Sequence, residues 1–143
     1  MSSRVLIIDD NQDDIDLLNA YLTDAVDAIR GLTDSRLAEV VFTDFEPDLV
    51  LLDLHMPDPD GLEVLRRLRS ARDSLGFLPV IVLTADTRRV ARNSALVLGA
   101  DDFLTKPLDR TEVVVRAQSL LHRRQLFVEL NQATEERQQS TEP

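Results

Sequence analysis

Three short stretches, Val5–Ile8, Leu49–Leu52 and Val80–Leu83, are apolar at every position. A strand with one wet face alternates apolar and polar residues; a run without alternation suits a strand of a parallel sheet, covered on both faces. Phe103–Thr105 reads as a weaker run, and a further strand is expected within Val26–Thr33. Between the runs the spacing turns helical. Ile15, Leu18 and Leu22 mark a first helix, Leu37, Val40 and Val41 a second, and Leu62, Leu65 and Leu68 a third that opens near Gly61. Val90, Ser94, Val97 and Leu98 mark a fourth, with Gly99 as its C-terminal stop, and the capping-box spacing Asp109 to Glu112 starts a fifth. Strands alternating with helices over short connections predict right-handed crossovers and a doubly wound α/β domain. The expected architecture is a five-stranded parallel sheet with helices on both sides.

At 143 residues and 43% hydrophobic composition the chain suits one globular domain rather than a disordered one. It has no cysteine, which removes disulfides and thiolate metal sites and fits a reducing compartment. The opening MSSRVLIIDD holds only four apolar residues in a row, too few for a signal peptide or a membrane span. A cytoplasmic location is therefore expected. The net charge of -10 argues against direct nucleic-acid binding, and the pairs Arg66-Arg67, Arg88-Arg89 and Arg123-Arg124 read as solvated helix faces.

In an open parallel sheet, ligands bind beyond the carboxyl ends of the strands. After the first run come Asp9 and Asp10, after the second Asp53, after the third Thr84-Ala85, and after the fourth Lys106-Pro107. Each alone is an ordinary turn residue; together they deliver carboxylates, a hydroxyl and an ammonium to one sheet edge. Lys106 is also the only lysine among 16 basic residues, which suggests that a compact ammonium is needed there or that the chain simply favours arginine. Clustered carboxylates repel unless a cation sits among them, and an all-oxygen donor set suits Mg²⁺. Phosphoryl transfer needs positive charge and donors around the phosphoryl oxygens, which Mg²⁺, Lys106 and the Thr84 hydroxyl can supply. A carboxylate can itself attack, forming an acyl phosphate. Asp53 follows the most apolar run and is the candidate nucleophile, with Asp9 and Asp10 holding the metal.

These residues, in this order, resemble the receiver domain of two-component response regulators, the CheY-like family, over roughly residues 3 to 121. The acidic pair Asp9-Asp10, the stretch DLHMP from Asp53 with Asp60-Gly61 after it, Thr84-Ala85, Gly99-Ala100 and Lys106-Pro107 carry the likeness. The resemblance implies a flavodoxin-like (βα)₅ fold, Mg²⁺ dependence, and phosphorylation of Asp53 by a sensor histidine kinase or phosphotransfer protein within a phosphorelay. It implies a signalling switch rather than an enzyme acting on a separate substrate. It further implies that Asp9, Asp10, Asp53 and the backbone carbonyl of His55 are metal ligands, that Thr84 and Phe103 form the switch, and that the Lys106–Pro107 peptide is cis. Asp86 and His55 stand where the family tunes the lifetime of the phosphoryl group.

Residues 109–137 hold no glycine or proline, so the fifth helix is expected to run past a receiver domain at residues 1–121 into an extension and polar tail at 122–143. Leu120, Phe127 and Thr134, and again Arg123, Leu130 and Arg137, fall seven apart, a weak heptad. Two readings stand. Leu126, Phe127 and Leu130 need burial, which favours a dimerising or signalling helix leading to an output domain beyond this chain; the other reading is the tail of a stand-alone receiver. Homodimer contacts are expected through the fourth helix, fifth strand and fifth helix or through this extension. Three other functions compete with this reading. A haloacid-dehalogenase-type phosphatase would place a second aspartate where His55 stands, and a dinucleotide-binding domain would need a glycine-rich turn where the chain has DDNQDD. A degenerate receiver used only for docking is the alternative that leaves the fold intact.

Overall fold

A computed structural model of the chain describes residues 3–70, 77–85 and 88–141. In chain order the elements are β1 (Arg4–Ile8), α1 (Gln12–Leu22), β2 (Ala28–Leu32), a 3₁₀ turn at Ser35–Leu37, α2 (Ala38–Phe45), β3 (Leu49–Asp53), α3 (Gly61–Ser70), β4 (Val80–Thr84), α4 (Arg89–Val97), β5 (Asp102–Thr105) and α5 (Arg110–Thr141). The five strands form one parallel sheet in the order β2-β1-β3-β4-β5. This is the doubly wound (βα)₅ architecture that the apolar runs predict.

The continuous runs are explained by what each face covers. Leu6, Ile8, Val50, Leu52, Val80 and Val82 point to one side and pack with Val41, Phe42, Leu65, Leu68 and Ala95 of α2, α3 and α4. Val5, Ile7, Leu49, Leu51, Ile81 and Leu83 point to the other and pack with Leu18, Leu22, Val113, Ala117 and Leu120 of α1 and α5. A strand alternates its side chains between faces, so a strand buried on both must be apolar at every position. β2 lies at the sheet edge with Arg30 and Gly31 exposed, which is why its sequence pattern is poor.

Helix caps follow the chemistry of their first residues. The Asn11 side chain accepts the Asp13 N–H to start α1, and the Asp109 carboxylate accepts the Glu112 N–H at 2.9 Å to start α5. Gly99 ends α4 at φ +97°, a left-handed conformation that glycine adopts without Cβ strain.

The expected core faces of two helices need correction. In α2 the buried row is Ala38, Val41, Phe42 and Phe45, while Val40 is 69% exposed and Leu37 lies outside the helix and is half exposed. The helix carries two apolar rows, and the one with two phenylalanines removes more area from water. In α4, Val97 is 85% exposed and Ala95 takes the core position, with Leu98 beside it; the Val90 side chain lies outside the described residues.

α5 runs unbroken for 32 residues, straight through the expected boundary at 121. Its packing also continues past that point. Against the expected solvated face, Arg124 is buried: it donates to the Phe77 carbonyl at 2.5 Å and stands 3.5 Å from Asp48, and Phe127 meets the Phe77 ring at 5.9 Å. The heptad row of Leu120 and Phe127 therefore faces the chain's own domain. Beyond residue 121, Leu126 and Leu130 are 51% and 62% exposed on the outer side, and nearer the start of the helix Val115 is 58% exposed. Among the described residues no helix is long and apolar enough to cross a membrane.

Candidate functional site

β1 and β3 are adjacent strands with Ile8 opposite Leu52, so one step further along the sheet Asp9 comes beside Asp53. The chain reverses its direction of winding here. β1 leads through α1 to β2 on one side, and β3 lies on the other, giving the switch point in strand order where a crevice opens. β4 ends beside β3 at Thr84, and β5, paired Thr84 to Thr105, hands the chain to Lys106. The Lys106 N–H donates to the Thr84 carbonyl at 2.9 Å, fixing where the lysine side chain begins.

The side chains converge. Carboxylate oxygens of Asp9, Asp10 and Asp53 all lie within 4.8 Å of one another, with Asp9 and Asp53 buried and Asp10 exposed. The Lys106 ammonium donates to Asp9 at 2.9 Å and stands 3.6 Å from Asp53. Asn11 N–H donates to the other Asp9 oxygen at 3.0 Å. His55 reaches two partners: its backbone N–H donates to Asp53 Oδ1 at 3.2 Å, and its imidazole Nε2 lies 3.1 Å from Thr84 Oγ. Phe103 is half-buried against the core under α2, α3 and α4, with the Arg92 guanidinium 5.7 Å above its ring. The Lys106–Pro107 peptide is cis, and so is Asp58–Pro59, which no sequence feature had singled out. Asp86 lies outside the described residues.

The loop that follows Asp53 is shaped by close approach. A Cβ on Gly61 would sit 2.2 Å from the Asp53 carbonyl oxygen, so α3 can start this near β3 only with glycine there. Asp60 caps the helix by accepting the Glu63 N–H at 3.0 Å, and Ser35 donates its hydroxyl to the Pro59 carbonyl at 2.8 Å.

Electrostatics mark Asp53. Burial pushes its carboxyl up to about 7, helped by the charge of Asp9, while the His55 N–H and Lys106 pull the other way. For Lys106, burial alone would lower the pKa, but hydrogen bonds to Asp14 and Asp9 and the charge of Asp53 outweigh it and raise it. Asp14, on the first turn of α1, accepts from Lys106 at 2.8 Å. It follows no apolar run, and only its place one turn into a helix beginning beside Asp9 could have pointed to it. The ring contact of His55 was likewise missed, since it depends on the neighbouring strand. His122 lines a cleft with Ser3, Ala25 and Asp48 at the opposite end of the sheet, far from any of these groups.

A buried aspartate flanked by carboxylates, a lysine and a threonine can, once ionised, attack an electrophile whose negative oxygens a cation and an ammonium balance. Comparison with known proteins gives the family. The family model of the response regulator receiver domain matches residues 5–118. The virulence transcriptional regulatory protein PhoP of Salmonella typhimurium is 38% identical over 120 residues, covering 84% of this chain and 52% of that protein. The regulatory protein VanRc of Enterococcus gallinarum is 32% identical over 127 residues, covering 89% of this chain and 53% of that one. Among solved structures, the receiver domain of NtrX from Brucella abortus superposes with a TM-score of 0.75 at 28% identity, over 82% of this chain and 98% of that one. The chain spans about half the length of the curated relatives it matches. It belongs to the response regulator receiver domain family, the switch module of two-component signal transduction.

Proposed function

We propose that Asp53 is the phosphoacceptor. Its ionised oxygen attacks the phosphorus of a partner histidine kinase's phosphohistidine, or of a phosphotransfer protein's, and a P–O bond forms as the P–N bond breaks. The electron pair leaves with the imidazole nitrogen, and Asp53 becomes an acyl phosphate. The observation that carries this reading is the position of the Asp53 carboxylate, buried at the end of a central strand with Asp9 and Lys106 beside it.

The donor set fits a hard divalent cation: three carboxylates in reach of one point, with no cysteine in the chain and the His55 ring turned to Thr84. Asp9, Asp10 and Asp53 would hold Mg²⁺, with the His55 backbone carbonyl as a further ligand. Bound there, the cation supplies positive charge to the transferring oxygens. Lys106 balances another oxygen, and the Thr84 hydroxyl donates to a third once it turns from His55. Movement of Thr84 toward the phosphoryl group frees space for Phe103, and the surface of α4, β5 and α5 changes shape. That surface, or the outer side of α5 at Leu126 and Leu130, pairs with a second copy of the chain. The setting for such a relay is the cytoplasm.

Mass spectrometry after incubation with Mg²⁺ and acetyl phosphate tests the reading. One phosphoryl adduct is expected on the parent chain and none on Asp53→Asn; an adduct that survives the substitution, or none on either, overturns it.

A further inference from the structure

The described residues bring to the site a carboxylate that the strand ends do not supply. Asp14 accepts a hydrogen bond from the Lys106 ammonium at 2.8 Å, Asp9 does so at 2.9 Å, and Asp53 stands off at 3.6 Å. Asp14 is absent from the trio whose oxygens converge on one point, so its contact is with the lysine rather than with a cation position. The first turn of α1 that carries it is fixed in place: Asn11 caps the helix through Asp13, and the Asp14 N–H donates to the Asn11 carbonyl at 3.2 Å. An ammonium has three donors, and here two are committed to Asp9 and Asp14.

We propose that Asp14 is a positioning residue that holds the Lys106 ammonium on the α1 side of the pocket and thereby restrains entry of an anionic phosphoryl group at Asp53. Two effects act in the same direction. The Asp14 carboxylate draws the ammonium from the place where incoming oxygens need it, and it adds its own negative charge beside them. Replacing it with the isosteric amide removes both and leaves Lys106 to Asp9 and Asp53. The device differs from the acidic trio in purpose: the trio attracts a cation, whereas Asp14 sets how readily the only lysine can leave it.

That lysine count makes the test direct. Protein grown with isotope-labelled lysine gives one side-chain ammonium signal by NMR, and it comes from Lys106. Asp14→Asn is expected to shift that signal with no phosphoryl mimic present. In saturating Mg²⁺ the same variant is expected to bind beryllofluoride about fivefold more tightly, a modest change as befits a partly exposed charge. Asp14→Glu, which keeps the charge, is expected to stay within about twofold of the parent, a rescue that a purely structural role for the side chain would not give. An unmoved ammonium signal in Asp14→Asn overturns the inference, as does beryllofluoride affinity that is unchanged or weaker. The restraint rests on the phosphoacceptor reading, while the anchoring of Lys106 does not. Failure of beryllofluoride to bind either protein therefore sinks that reading and the restraint together, and the ammonium signal still reports on the anchor.

Discussion

Asp53 is buried at the end of an apolar strand and holds its proton up to about pH 7. An ordinary aspartate titrates at 3.8, so the folded state binds this proton more tightly than the unfolded state does. Its contribution to stability is fully present below about pH 4 and is lost as pH rises through about 7. In buffer free of divalent cations, urea titrations between about pH 5 and about pH 8 should show the parent losing on the order of 2 kcal/mol relative to Asp53→Asn. Added Mg²⁺ should flatten that slope, because a bound cation favours the ionised carboxylate. A parent curve that parallels Asp53→Asn without metal would show that the proton is not held. The strand-end residues were legible because each follows an apolar run, and a run must stop where the sheet meets solvent. Asp14 and the His55 ring were not legible, since their contacts depend on helix phase and on a neighbouring strand.

At the level of elements, what could be read was whatever the period of burial imposes. β1, β3 and β4 are apolar over Val5–Ile8, Leu49–Leu52 and Val80–Leu83 because both faces are covered, so those runs showed directly, each one residue short of its strand. β2 and β5 lie at the sheet edges and bury less, and their patterns are correspondingly faint. α2 shows the limit of spacing alone: Val41 is on the buried row, but Leu37 and Val40 point to solvent, because spacing does not weigh Phe42 and Phe45. Past Leu120, α5 keeps its hold on the domain partly through a buried arginine that no apolar pattern announces. Arg124 meets the Phe77 carbonyl and Asp48, and Asp48 also accepts the Arg4 N–H at 2.9 Å. Arg124→Met removes one partner of a buried pair and is expected to cost about 2–4 kcal/mol in chemical denaturation. Hydrogen exchange should rise first in the helix beyond residue 124; equal exchange along all of α5 would show that the arginine does not anchor it.

For the molecule as a whole, the apolar side chains that the fold leaves uncovered on the last stretch of α5 are Leu126 and Leu130, one turn apart. Their exposure supports association with a second copy, and sedimentation velocity checks it. The parent is expected to shift toward a dimer on adding beryllofluoride and Mg²⁺, and the double variant Leu126→Ser, Leu130→Ser to remain a monomer under both conditions. A variant that dimerises as the parent does would move the interface to α4, β5 and α5. Dimer formation independent of the phosphoryl mimic would uncouple association from the site.

The unbroken course of α5 has a mechanical consequence. Its first residue lies four positions after Lys106, and its 32 residues extend for about 48 Å. A rigid rod of that length tilting by about 5° at its root displaces its far tip by about 4 Å, roughly the size of a side-chain contact. A rearrangement at the Asp53 pocket that tilted the helix together with the face it packs on would therefore reach the distal end as a displacement large enough to make or break an interface.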